Sequence, residues 1–255
     1  MATRDRAPIG HPCWVDHLTN DADATRRFYT GIFGWEAGEA SEEFGGYFQF
    51  FRDGVPVAGA APAMAEHPMP DVWSVYLAVE DAQVTLDRAA GAGGTVIVPA
   101  MRVGDLGTMG MVTDPSGAAV GLWAPITFQG FGVLDEANAP KWFELHTLDY
   151  ERAVSFYQDV FAWDTSVAGD TPEFRYTTAD ADGGHFAGMM DSKNFLPEGT
   201  PSHWTVYFGV HDVDAACARA VELGGSITVA AQDTPYGRLA GVADPGGAVF
   251  SVMQA

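Results

Sequence analysis

Residues 14–35 read WVDHLTNDADATRRFYTGIFGW, and residues 142–163 read WFELHTLDYERAVSFYQDVFAW. The two stretches align without a gap at an offset of 128 and agree at seven of 22 positions: Trp14/Trp142, Thr19/Thr147, Asp21/Asp149, Phe28/Phe156, Tyr29/Tyr157, Phe33/Phe161 and Trp35/Trp163. Self-similarity at a fixed period means a repeated structural unit, and it decides the architecture before any local pattern is weighed. Trp73 to Val98 falls on Trp204 to Val229 at an offset of 131, sharing Val-x-Asp and Gly-Gly punctuation. Gly107 with Asp114-Pro115-Ser116-Gly117 falls on Gly237 with Asp244-Pro245-Gly246-Gly247 at an offset of 130. So small a drift is loop-length variation between two equivalent modules. Their expected extents are residues 1–124 and 140–255, with a linker over 125–139.

Within each module a short alternating run (Trp14 to Leu18; Trp142 to His146) leads to an Asp at a helix N-cap, Asp21 or Asp149. The amphipathic helix that follows is predicted to bury Ala24, Phe28 and Ile32, or Ala153, Phe156 and Val160, and Gly34 closes the first of them. Three aromatic or β-branched runs come next, giving βαβββ. After a proline-rich loop (residues 61–70; 191–201) the pattern restarts at Ser74 or Thr205, with caps at Asp81 or Asp212 and stops at Gly93-Gly94 or Gly224-Gly225. The fold class is therefore α+β, with four βαβββ units in two modules.

Composition narrows the partners. Against 34 acidic residues the 255-residue chain has 13 Lys plus Arg, only Lys141 and Lys193 being lysines, for a net charge of -21. Binding a phosphate backbone needs clustered cations, so nucleic acid and anionic membrane are excluded as partners. No apolar run reaches the roughly 20 residues that span a bilayer, and no secretory pattern opens the chain; a cytoplasmic location is expected. Cys13 and Cys217 form neither a CxxC pair nor a Cys/His cluster, and Cys217 sits at core spacing in a helix.

With these residues in hand, the chain resembles the vicinal oxygen chelate superfamily, which includes glyoxalase I, bleomycin-resistance proteins and extradiol dioxygenases. The resemblance rests on Asp21…Phe28-Tyr29…Phe33-Gly34-Trp35, on Asp149…Phe156-Tyr157…Phe161-Ala162-Trp163, and on both Asp-Pro-x-Gly turns. The Trp-Phe-Glu-Leu-His-Thr opening of the second module is similar to tandem actinobacterial proteins labelled glyoxalase-like or hydroxylase. It implies curved mixed sheets that form cups, with helices outside. It also implies metal-ligand positions at Trp14, Ser74 and Gly121 in one cup and at Trp142, Thr205 and Ser251 in the other. None of these six is His, Glu or Gln, so no catalytic metal and no other cofactor is expected. No His-x-His or His-x-x-x-His spacing offers a substitute.

Strand alternation then predicts what lines the cups. Trp14, Asp16, Tyr76 and Trp123 join Ser74 in the first; Trp142, Glu144, His146 and Tyr207 join Thr205 and Ser251 in the second. Trp14 and Trp142 either stack on a planar ligand or fill an obsolete site. Asp16, Glu144 and His146 are the candidate proton carriers, and the alternative is that the acids simply bond neighbouring hydroxyls. Trp35, Trp163, Trp73 and Trp204 read as packing, His11, His17, His67, His185, His203 and His211 as surface or rim, and Lys193 as a solvated residue of a roof loop. The leading expectation is a metal-independent protein, monomeric or homodimeric, that binds an aromatic or cationic metabolite or antibiotic between Trp and Tyr faces. The alternatives are a metal-free lyase, isomerase or hydroxylase-type enzyme working by acid–base chemistry on a small carbonyl or polyketide, and a metal-dependent glyoxalase or dioxygenase.

Overall fold

Period-2 and period-3.6 patterns alternate along the chain, and a computed structural model, which describes residues 4–64 and 69–255, turns each into an element. Module one runs β1 (Pro12–Thr19), α1 (Ala22–Phe33), β2 (Glu36–Ala37), β3 (Phe48–Arg52) and β4 (Val55–Pro62). It then repeats as β5 (Val72–Ala78), α2 (Ala82–Gly91), β6 (Thr95–Val103), β7 (Gly107–Thr113) and β8 (Ala119–Pro125). Module two runs β9 (Pro140–Thr147), α3 (Tyr150–Phe161), β10 (Asp164–Thr171), β11 (Phe174–Ala181) and β12 (Gly184–Asp191). Its second half is β13 (His203–Val210), α4 (Val213–Glu222), β14 (Ser226–Thr234), β15 (Gly237–Ala243) and β16 (Val249–Gln254). These are the four βαβββ units.

Each module is one eight-stranded sheet, ordered β2-β3-β4-β1-β5-β8-β7-β6 and β10-β11-β12-β9-β13-β16-β15-β14. The two units join through antiparallel pairs, β1 with β5 and β9 with β13, while β1–β4, β5–β8, β9–β12 and β13–β16 are parallel. The sheets are therefore mixed, and the first strands of all units lie at the centre, where the candidate residues sit.

Local chemistry sets the helix ends. Asp21, Asp81 and Asp212 accept from the backbone N–H groups of Ala24, Val84 and Ala215, satisfying donors the helix leaves unpaired. Asp149 departs from the expectation: it occupies the N-cap, but its side chain makes no cap bond and lies 3.3 Å from Arg152 instead. Gly34 ends α1 in the left-handed region, and Ala162 takes the same conformation after α3. The buried face of α1 is Thr25, Phe28, Tyr29 and Phe33, rotated from the predicted face, with Ala24 and Ile32 at its margin. The rotation has a cause, because Phe28, Tyr29 and Phe33 contact the other module.

α1 packs on α4 and α2 on α3, so the repeated aromatic motif builds the junction between modules. Phe28 lies over Gly225 and Phe156 over Gly94, where an added Cβ would come within 2.9 and 3.0 Å of the rings. In each Gly-Gly pair the first residue takes positive φ to stop the helix, and the second leaves room for the opposing Phe. The Trp35 indole N–H donates to the Asn138 carbonyl and that of Trp163 to the Gly10 carbonyl, each at 2.8 Å. Trp73 donates to the Tyr29 hydroxyl and Trp204 to that of Tyr157, also at 2.8 Å. Tyr29 in turn donates to Asp244 and Tyr157 to Asp114, the aspartates of the opposite modules' Asp-Pro-x-Gly turns. These four tryptophans, read from sequence as packing alone, thus position the modules through directed hydrogen bonds.

Two histidines also prove to belong to the junction rather than the surface. His17 is fully buried, its Nε2 2.8 Å from Asp244 Oδ2. His11 stacks on Phe186 of module two at 3.7 Å; burial, with Arg4 adding, pushes its pKa down to about 4. His67 lies outside the described residues. Among those described, no helix is long and apolar enough to cross a membrane.

Candidate functional site

Strand pairing brings the predicted residues onto one face of each sheet. In module one Trp14 pairs with Tyr76 and Asp16 with Ser74 across β1 and β5, while Tyr76 pairs with Gly121 across β5 and β8. In module two Trp142 pairs with Tyr207, Glu144 with Thr205 and His146 with His203, and Tyr207 pairs with Ser251. Exposure separates the two faces of the second sheet. Leu145, Val206, Phe208 and Val252 are 0% exposed under the helices, whereas Glu144, Thr205, Tyr207, Ser251 and Met253 retain 5 to 9% and solvent reaches them. Trp142 is half-buried.

In the first cup the Trp14 indole N–H faces both Asp16 Oδ1 (2.8 Å) and the Tyr47 hydroxyl (2.9 Å), and Tyr47 donates to the same Asp16 oxygen at 2.7 Å. Burial pushes the Asp16 pKa up to about 6, although hydrogen bonds from Tyr47, Trp14 and Tyr76 oppose it. A side chain at Gly59 of β4 would collide with Tyr47 and Asp16, which fixes glycine there.

The first cup is also filled by the chain itself. After β8 the segment 126–131 turns back over the sheet, and the Phe128 ring meets Trp14 edge-on at 4.8 Å and Trp123 at 6.0 Å. Phe131 lies 5.4 Å from Trp14, and the Trp123 indole N–H donates to the Phe128 carbonyl at 2.9 Å. Trp14 and Trp123, expected to face a ligand, face the linker.

The second cup repeats the polar triad with a Glu. Trp142 donates to the Tyr176 hydroxyl (3.1 Å), Tyr176 to Glu144 Oε2 (2.5 Å) and Tyr207 to Glu144 Oε1 (2.8 Å). His146 Nε2 is 3.2 Å from Glu144 Oε1, and its Nδ1 is 3.1 Å from Ser192 Oγ. Burial holds the His146 pKa below its ordinary value, with Glu144 opposing and His203 adding. The ring thus meets Glu144 through Nε2 by contact and bonds Ser192 through Nδ1. Burial first, and the Glu144 charge next, raise the Tyr176 and Tyr207 hydroxyls, which keep their protons. The carboxylate thus gathers two tyrosine hydroxyl donors and orients Trp142 through Tyr176. Among the described residues no aromatic ring stacks on Trp142.

Tyr47, Tyr176, Phe128 and Phe131 escaped the sequence reading. An offset of 129 pairs Tyr47 with Tyr176 and Gly59 with Gly188, and a Cβ at Gly188 would likewise collide with Tyr176, so the repeat held the signal for the two tyrosines. His203, expected at a rim, stacks on His146 at 5.2 Å; Lys193 is exposed, as expected, beside Ser192.

Neither cup suits a divalent cation, since Trp, Thr, Ser and Gly at the three strand positions supply no imidazole or carboxylate there. Among the described residues one His/carboxylate group has ligand atoms within 4.8 Å of one another: His17, Asp71 and Asp244. It lies at the module junction, assembled from residues too distant in sequence for spacing to reveal. Comparison with the other module shows the direction of its effect. Burial raises the Asp114 pKa; at the equivalent Asp244 burial acts in the same direction, but the His17 bond and charge, with the Ala248 N–H and the Tyr29 hydroxyl adding, leave the pKa lowered.

Paired βαβββ units around a three-strand cup define a protein of the vicinal oxygen chelate class. The chain belongs to the Glyoxalase/Bleomycin resistance protein/Dioxygenase superfamily, whose family profile matches residues 14–122 and 140–252. It is 37% identical over 259 residues to CFP32 of Mycobacterium tuberculosis, provisionally named a glyoxylase, covering 100% of this chain and 98% of that one. It is 38% identical over 263 residues to the anthracycline biosynthesis protein DauV of Streptomyces sp. strain C5, covering 96% and 93%. The Mn(II)-bound glyoxalase of Novosphingobium aromaticivorans shares the fold at a TM-score of 0.67 and 16% identity, over 96% of this chain and 82% of that one. The 2,3-dioxygenase LapB of Pseudomonas sp. KL28 shares it at 0.65 and 14%, over 97% and 92%.

Proposed function

We propose that this protein binds a planar aromatic metabolite in the second cup without using a metal. One observation carries the reading: equivalent tryptophans differ in cover, Trp14 lying under Phe128 and Phe131 and Trp142 having no aromatic partner among the described residues. An aromatic face of this kind contributes roughly 0.5–1.5 kcal/mol beyond area burial when a ring packs on it. Glu144 holds the Trp142 indole in place through Tyr176, and the Thr205 and Ser251 positions offer hydroxyls at the floor. The DauV relative, named for biosynthesis of a polycyclic aromatic class, supports a role in secondary metabolism.

Calorimetric titration with a hydroxylated anthraquinone such as alizarin tests this. Saturable binding should weaken about tenfold or more in Trp142→Ala and change little in Trp14→Ala. Binding indifferent to Trp142, or none, would overturn it.

A second reading, metal-free acid–base catalysis, draws on the His146–Glu144 contact at 3.2 Å and the raised Asp16. The two tyrosine hydroxyls that donate to Glu144 favour a scaffolding role over proton transfer. Turnover of a carbonyl substrate that survives chelator and collapses in Glu144→Gln would reverse that preference.

A further inference from the structure

The junction between modules has two equivalent corners whose side chains differ. At each corner a tyrosine donates to the aspartate of the opposite module's Asp-Pro-x-Gly turn, Tyr157 to Asp114 and Tyr29 to Asp244. In each module the backbone N–H just after the first strand donates to the residue just before the middle strand, Leu148 to Ser202 Oγ (2.9 Å) and Asn20 to Asp71 Oδ1 (3.0 Å). Leu145 and His17 hold the same register, opposite Trp204 and Trp73. The structure therefore matches Leu145, Ser202 and Asp114 with His17, Asp71 and Asp244.

The junction closes at Leu145 and Ser202, so neither a histidine nor a second carboxylate is needed to close it. At the other corner His17, Asp71 and Asp244 bring ligand atoms within 4.8 Å of one another. Backbone N–H groups hold Oδ1 of each aspartate, Asn20 for Asp71 and Gly246 and Ala248 for Asp244, which leaves the Oδ2 atoms to the group. Room has been made for Asp71: a Cβ at Gly246 would collide with its carboxylate, although the φ of Gly246 is not positive and the backbone does not demand glycine. Ser116 occupies the equivalent place in the first module's turn. His17 is fully buried, with Nε2 on Asp244 and Nδ1 without a partner among the described residues. A buried polar atom left unpaired is costly. Two carboxylates also carry more negative charge than one imidazole balances, and among the described residues no Arg or Lys pairs with either.

We propose that His17, Asp71 and Asp244 bind a divalent first-row metal cation at the module junction, outside both cups. One imidazole nitrogen with two carboxylate oxygens suits Zn(II) and its neighbours, whereas Ca(II) and Mg(II) favour oxygen alone. Zinc bonds of about 2.0–2.2 Å put donors on one ion roughly 3–4 Å apart, so these side chains need to close by about 1 Å or less. Asp71 is half-buried and gives the ion its way in. Two ligands come from module one and the third from module two, so the ion holds the modules docked. The site is independent of the aromatic site in the second cup.

The test uses the full chain, free of any affinity tag and stripped with chelator, titrated with Zn(II) by calorimetry and followed by thermal unfolding. One Zn(II) should bind per chain and raise the thermal midpoint, because the ion binds the docked form alone. Affinity should fall about tenfold or more in Asp71→Ser and in His17→Leu, which copy Ser202 and Leu145 of the corner that closes without them. Co(II) in place of Zn(II) reads the imidazole directly, since the visible absorption of the bound ion should change or vanish in His17→Leu. If His17→Leu misfolds, Asp71→Ser decides the matter. Zn(II) binding that both substitutions leave unchanged, as at the exposed His185 or His211, overturns the inference. So does Ca(II) or Mg(II) binding as tightly as Zn(II), or no binding at about millimolar Zn(II).

Discussion

Replacing Asp16 by Asn should stabilise the protein at neutral pH and do almost nothing at pH 4. The folded carboxyl titrates at about 6 against an ordinary 3.8, because burial next to Trp14 outweighs the hydrogen bonds it accepts. A gap of about 2 units corresponds to about 3 kcal/mol of linkage free energy. Between those two values the folded state holds more protons than the unfolded state, so stability falls as pH rises through the window. Above it the full cost of a charged, half-buried carboxylate is present. Asn keeps an oxygen to accept from Trp14 and Tyr47 and carries no charge. Its weaker acceptance returns part of the gain, leaving an expected stabilisation of about 1–2 kcal/mol at pH 7. Urea unfolding of both proteins at pH 4, 5, 6 and 7 measures the difference, and titrations common to both cancel. A difference that does not change with pH, or a variant less stable than the parent at pH 7 and equal to it at pH 4, would refute the reasoning.

Three further outcomes follow from the same geometry. Phe128→Ala should cost about 2 kcal/mol of stability, below the 3–5 kcal/mol typical of a fully buried Phe because this ring is only half-buried, and should raise the number of alizarin sites per chain from one to two by calorimetry. His17→Leu, which copies Leu145 of module two, should move the Asp244 pKa from below its ordinary value to above it, as seen for Asp114; carboxyl NMR titration reads the shift. Asp244 now contributes stability that is present above pH 4 and lost as pH falls through its lowered pKa, and the variant should lose that dependence. Gly225→Leu should lower the thermal midpoint by several degrees, since even a Cβ meets the Phe28 ring and two backbone carbonyls at 2.6 to 3.1 Å.

Much of the architecture was legible because the repeat multiplies weak signals. A single Asp before an amphipathic run is a modest indication of a helix, but four of them at matched offsets define four units. Strand alternation placed Trp14, Asp16, Trp142 and Glu144 on the cup face, since a period of two fixes every inward residue once one is assigned. Tyr47 and Tyr176 were recoverable from the same comparison and were missed because one precedes β3 and the other lies inside β11, away from the repeated Trp-to-Trp motif. Three features lay beyond it. The fold of the linker over the first cup depends on where β8 delivers the chain, which periodicity does not encode. The His17–Asp244 pair joins residues 227 positions apart, and only the docking of the two modules brings them together. The failure of Asp149 to cap α3 is a choice between two nearby donors, the helix N–H groups and Arg152, that differ little in energy.

The central claim is that one cup is closed by the chain and its counterpart is open to an aromatic ligand. A crystal structure of the protein grown with saturating alizarin tests it most directly. The account predicts ring density against Trp142, above Glu144 and Tyr207, with Phe128 still seated on Trp14. Ligand density in the first cup with Phe128 displaced, while the second cup stays closed, would contradict it.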